Sequence, residues 1–323
     1  MAAPIAPAPA TPPAFSEKTT SGRFLLDREK FLGPVMLLPA VIYILALVGF
    51  PLVIAIAYAF SDVTVGDQSI DWVGLENFRD TWGNAAFQKA LRNSLAFTFI
   101  AQALVLVLAN ILAIVLSADF RGKRIARFLI LLPWATPVAL VAVGWWWIFS
   151  PPYSALDYIL REIGALGPGG WWANDNNAYW LALPDRAQIS VVLVQVWRVL
   201  PLSTVIILAG LTSLPQDVRE AANLDGAGFF RQLVWIRIPL LAPIILVAFL
   251  FGTVFVFSDM IIVYIMTRGQ PNDATQVIPH LAFMRGVQSG DLAGGAAVAV
   301  FLFPVLAGVA ALMLRTARRA ETS

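Results

Sequence analysis

Between Lys30 and Asp62 the sequence carries no charged residue, and the apolar part of that stretch, about 33–60, can cross a lipid bilayer as a helix. A hydrocarbon core of ~30 Å takes ~20 helical residues. Four further runs behave in the same way, at about 94–118, 128–149, 239–258 (the span continuing past Asp259 to Met266) and 292–314; a sixth, 187–211, is interrupted only by Arg198. A soluble domain keeps about a quarter of its residues charged, whereas here only 13% are charged and 59% are hydrophobic. The predicted class is therefore an all-α integral membrane protein with six spans over 31–314, a tail of 1–30 and a tail of 315–323. The Ala- and Pro-rich start lacks the basic and apolar regions of a signal peptide and reads as a disordered cytoplasmic tail. Pro39, Pro51, Pro133, Pro137, Pro201 and Pro243 fall in or at the ends of the spans. They are taken as kinks in continuing helices, since buried neighbours or water can satisfy the freed carbonyls.

Six spans put both termini on one side, and the basic residues say which. The tails and the loops 119–127 and 212–238 carry fourteen Lys or Arg; the opposite side carries seven. The positive-inside rule places the termini and those two loops in the cytoplasm. The same asymmetry accounts for a pI near 9.0 at a net charge of only +2, with no nucleic-acid partner. The absence of cysteine excludes a disulfide framework and thiolate chemistry, and His280 as the only histidine argues against an imidazole metal cluster. Among the outer segments, Trp171 and Trp172 and the triplet Trp145–Trp147 fit an aromatic belt at headgroup level. A sugar-stacking platform is the competing reading.

The loop 212–238 is longer and more patterned than a connector needs. Ser213-Leu214-Pro215-Gln216 fits a capping box, and Val218, Ala221, Ala222 and Asp225 follow at helical spacing. Gly226 stands where a left-handed cap would end the helix. Phe229, Phe230, Leu233, Val234 and Ile236 then suggest a second short helix stopping at Pro239. Two helices in a tight turn would present an Ala-Ala surface that lets another surface come close.

Glu220-Ala221-Ala222, three residues, Gly226, nine residues and Ile236-Arg237-Ile238-Pro239 resemble the signature loop of ABC importer permeases. The departure is Ile238 where the family has leucine. Trp72–Phe78, Phe257-Ser258-Asp259, Tyr264, Thr267, Gly269, Pro271 and Ala209-Gly210-Leu211 resemble segments of the carbohydrate-uptake class, the first of two permeases. The resemblance implies a coupling helix between spans four and five, with Glu220, Ala221, Ala222, Asp225 and Gly226 docking a separate ATPase. It implies a bacterial inner-membrane complex with a second homologous permease, two ATP-binding subunits and an extracytoplasmic solute-binding protein. The chain has no phosphate-binding Gly-x-x-x-x-Gly-Lys-Ser/Thr loop, so ATP and magnesium are expected in the partners, and no cofactor or enzymatic activity in this chain.

Polar residues inside the spans are the candidates for a substrate path. Arg198 lies about eleven residues into its span, ~16 Å deep, where a charge facing lipid costs several kcal/mol. It either contacts substrate or pairs with an acid or carbonyl; Trp197 and Trp145 are aromatic candidates on the same path. Asp259 stands ~30 Å along the helix from Pro239, near the outer face, and suggests a gate or interface residue. Gln195, Asn110 and Gln102 rank below, because buried amides often only join helices. A non-sugar ABC permease remains an alternative. An ion-coupled transporter would show mid-membrane acids and an inverted repeat, and a membrane enzyme a pair of carboxylates or a His/Asp cluster.

Overall fold

The computed structural model describes residues 29–67, 69–151 and 153–322. The N-terminal tail read as disordered falls mostly outside that range. Helix α1 (Glu29–Ile44) runs through a π turn at Leu45–Gly49 into α2 (Phe50–Ala59). A short α3 (Glu76–Gly83) precedes the long α4 (Ala85–Ser117). Then come α5 (Lys123–Ala135), α6 (Val138–Phe149), α7 (Ala155–Glu162) and α8 (Pro184–Ser213). The loop helices α9 (Gln216–Leu224) and α10 (Phe229–Gln232) lead through a second π turn into α11 (Ile238–Phe257) and α12 (Ile261–Met266). The chain closes with α13 (Ile278–Phe283), α14 (Leu292–Val300) and α15 (Leu302–Thr322). Among the described residues there is no strand, only two isolated bridges. Five segments are long and apolar enough to cross a membrane, six when α5 and α6 count as one bent span. This is an all-helical membrane protein.

Two prolines of the spans do more than kink. The run 128–149 is not one helix: α5 and α6 meet at 95°. Pro137 disfavours a helical conformation in the residue before it, and Thr136 is extended at ψ 133°. The Leu132 carbonyl at the break is satisfied by the Thr136 amide at 3.1 Å and its hydroxyl at 2.8 Å. Pro239, in contrast, does not stop a helix. The helix from Phe229 continues through it, and the π turn Leu233–Arg237 ends just before. Pro51 follows its own π turn at the same spacing. The wider turn gives the pyrrolidine ring room against the carbonyl four residues back, where an α turn would clash.

The chain forms two compact units, one ending at Ile54 and one starting at Ala55. In the second, α4, α8 and α11 pack together at the centre, with α5 on α8, α12 on α6 and α15 on α11. Small residues let the backbones close up, as membrane helices require where no hydrophobic effect drives them together. Ala101, Ala109 and Ala113 of α4 and Ala248 of α11 are buried, and Gly210 of α8 sits against Leu241 and Ile244. At Gly252 of α11 a Cβ would land on the side-chain amide of Gln102 from α4, which is fully buried. Gly252→Val is expected to destabilise the protein by about 1–3 kcal/mol through overpacking, read as a lower unfolding temperature in detergent. Gln102→Ala combined with it should restore much of the loss; no restoration would separate the glycine from the glutamine.

Candidate functional site

The loop between α8 and α11 folds as a hairpin of two helices around one glutamine. Gln232 is 7% exposed. Its Nε2 donates to the Asn223 Oδ1 at 2.8 Å and to the Ala227 carbonyl at 2.7 Å, while its Oε1 accepts from Arg237 at 3.3 Å. These bonds tie the end of α9 to the start of α11. Gln232 was not singled out in the sequence, where it looks like one more polar surface residue.

The turn between the helices is a complete Schellman motif. The Ala227 amide donates to the Ala222 carbonyl at 3.0 Å and the Gly226 amide to the Asn223 carbonyl at 3.1 Å. Gly226 has φ +69° and Asp225 is the C-cap before it. The start of α9 differs from the expected capping box. Ser213 ends α8, where its hydroxyl donates to the Gly210 carbonyl at 2.9 Å, and it caps no amide of α9. Pro215 takes the cap position, and Gln216 donates instead to the Glu220 carboxylate at 2.6 Å. The Ala-Ala pair also divides: Ala222 is buried at 5%, whereas Ala221 faces outward with Glu220 and Asp225. Leu224, Phe230 and Trp235 are exposed at 89%, 77% and 77%, a large apolar load on so short a hairpin.

The second constellation lies halfway along α8. Arg198 forms an ion pair with Asp259, the two side chains being 16% and 4% exposed. Of the two roles open to Arg198, pairing with an acid is the one observed. Asp259 sits at the interruption between α11 and α12, and its other oxygen accepts from the Ile262 amide at 3.0 Å. The break supplies free amides and a place for the carboxylate. Its partner sets it beside the middle of α8. Side chains on a helix lean toward its N-terminus, so Arg198 reaches up along α8 to meet it.

Around the pair lie the other sequence candidates. Gln195 is 3% exposed and its Oε1 has no partner among the described residues. It lines a small internal cavity of about 10 Å³ with Ser94, Thr98 and Asp259, the size of one water. Asn110 does not join this group; its side chain donates to the Leu106 carbonyl of its own helix at 2.8 Å. The aromatic candidates form a line: Trp172 to Trp180 (5.5 Å), Trp180 to Phe149 (5.5 Å), Phe149 to Trp145 (5.4 Å) and Trp145 to Trp197 (5.7 Å). The buried Asp157 carboxylate anchors the line at Trp180, accepting from its Nε1 at 2.7 Å. Trp145 turns inward, while Trp146 and Trp147 are 45% and 64% exposed, as belt residues would be. Ser94 and Thr98 were missed in the sequence, although their spacing of four, continued by Gln102, marks one face of α4.

A family model described as "Binding-protein-dependent transport system inner membrane component" matches residues 109–321, about two thirds of the chain. The chain belongs to that family. It is the permease of a binding-protein-dependent ABC importer, a multi-pass inner-membrane protein and a transport subunit rather than a catalytic one. The permease is 29% identical over 292 residues to the trehalose/maltose transport system permease protein MalF of Thermococcus litoralis, covering 90% of this chain and 95% of that protein. It is 27% identical over 293 residues to the sn-glycerol-3-phosphate transport system permease protein UgpA of Pectobacterium atrosepticum, covering 90% and 96%. The crystal structure of a bacterial ABC transporter involved in the import of the acidic polysaccharide alginate contains a chain of the same fold. Its TM-score is 0.76 at 19% identity, covering 91% of this chain and 97% of that one.

The paired charges of the permease make a sharp prediction. Removing one partner of a buried pair strands the other and costs about 3–5 kcal/mol, whereas replacing both with neutral groups costs far less. Asp259→Ala should therefore abolish recovery of monodisperse protein, and Arg198→Met with Asp259→Asn should recover part of it. Gly226→Ala, which forces a side chain into the left-handed region at about 1–2 kcal/mol, should speed amide exchange in α9 without disturbing α8.

Proposed function

We propose that this permease forms half of a translocation path for an uncharged sugar or polyol and is driven by a separate ATPase docked on the α9–α10 hairpin. The observation that carries the solute class is the aromatic line ending at Trp197, 37% exposed, beside the Arg198–Asp259 pair. A sugar ring offers apolar C–H faces to an indole and hydroxyls to charged groups. Because Asp259 already balances Arg198, a neutral solute suits the site better than a phosphate, which would compete with the carboxylate. The trehalose/maltose relative supports the same class.

The hairpin supports the drive. Glu220, Ala221 and Asp225 face outward on α9, and the exposed Leu224 and Phe230 give a partner apolar area to bury. On this reading the hairpin and both termini are cytoplasmic, consistent with the two-to-one basic bias. The partners are a second homologous permease, two ATPase subunits that bring ATP and magnesium, and an extracytoplasmic solute-binding protein. A neighbouring alginate transporter is itself in complex with a pentasaccharide-bound periplasmic protein. Nucleotide-driven movement of the hairpin would shift α8 and α11, which respectively end and begin at its two feet, between two packed arrangements.

Glu220→Lys is expected to abolish uptake and ATPase co-purification while leaving the protein in the membrane. Normal co-purification and uptake would refute the docking role. Trp197→Ala should raise the uptake KM for a disaccharide several-fold in an intact complex. An unchanged KM would remove the stacking role and the sugar assignment with it.

A further inference from the structure

Between the N-terminal halves of α4 and α8 runs an open groove of about 680 Å³. Ile100 and Leu104 of α4 and Ile189 and Leu193 of α8 make its apolar walls. Its polar residues, Arg92, Asn93, Asp185 and Gln188, all stand toward the N-terminal ends of the two helices, so one end is charged and the other apolar. Two of the four are occupied. Asn93 Nδ2 donates to the carbonyls of Asp273, Ala274 and Gln276 at 3.0–3.1 Å, and Gln188 Nε2 to the Ala274 carbonyl at 2.9 Å. Arg92 and Asp185 are exposed at the mouth. Among the described residues neither takes part in an ion pair.

We propose that this groove holds one phospholipid whose headgroup carries both a phosphate and a primary ammonium. Arg92 takes the phosphate in a charge-assisted fork, Asp185 takes the ammonium, and one acyl chain lies along Ile100, Leu104, Ile189 and Leu193. The length fits: the twelve residues from Arg92 to Leu104 span ~18 Å at 1.5 Å each, against ~15 Å for one leaflet of a ~30 Å core. The charges select the headgroup. An anionic lipid without an amine leaves Asp185 facing like charge, and a choline headgroup has no N–H to donate to a carboxylate.

The test uses the assembled importer in nanodiscs made from equal parts phosphatidylethanolamine, phosphatidylcholine and phosphatidylglycerol, released and weighed by native mass spectrometry. Retention of phosphatidylethanolamine over the other two on the unaltered complex is expected. Arg92→Ala and Asp185→Ala should each lower that retention several-fold, and Ile100→Trp should block the chain while leaving the headgroup residues in place. Equal retention of the three lipids, or retention indifferent to all three substitutions, would overturn the proposal. So would a photocrosslinker at position 100 that captures the second permease subunit and no lipid.

Discussion

In a bilayer a backbone amide or carbonyl that leaves its helix has no water to turn to, and this constraint governs where the permease can be irregular. Among the described residues, two of its breaks carry a built-in replacement partner. At Thr136, just before Pro137, a side-chain hydroxyl joins the backbone amide on the Leu132 carbonyl. Between α11 and α12 the Asp259 carboxylate takes an amide of the new helix. Ahead of Pro51 and Pro239 the chain widens into π turns, keeping the helix continuous through a residue that cannot donate. The irregular points are also where chemistry collects, since a broken helix is what brings a charged side chain and free amides to one place.

The Arg198–Asp259 pair shows the trade involved. A buried pair is weak evidence for stability, because desolvation offsets much of the attraction. Its value lies in discrimination: neither residue tolerates the other's absence, so the α8–α11 arrangement is specified by more than the fit of small residues. Gln195 and a cavity the size of one water line the same seam.

The hairpin rests on a different economy. It has almost no core of its own, and its shape comes from a Schellman turn and the three hydrogen bonds of Gln232. Rigidity obtained from polar bonds frees its apolar side chains to stay exposed. On the docking proposed for this hairpin, a partner would cover them.

The sequence by itself determined the helical class, the apolar segments and the patterned loop with its glycine. Each depends on composition or on contacts within a few residues: a long uncharged run crosses lipid as a helix, and a left-handed helix cap favours glycine. It could not determine that Pro137 ends a helix while Pro239 does not, because the outcome depends on which neighbours can take the released carbonyl. Nor could it settle which of Trp145, Trp146 and Trp147 turns inward, since consecutive residues point about 100° apart and helix rotation is set by packing on α8 and α12. Arg198 and Asp259 were each visible as odd charges in apolar surroundings; that they are one feature is a long-range contact, sixty-one residues apart in sequence. Gln232 looked like surface until the fold closed over it. Local chemistry is written in the chain, and the pairing of distant polar groups is decided only when the helices meet.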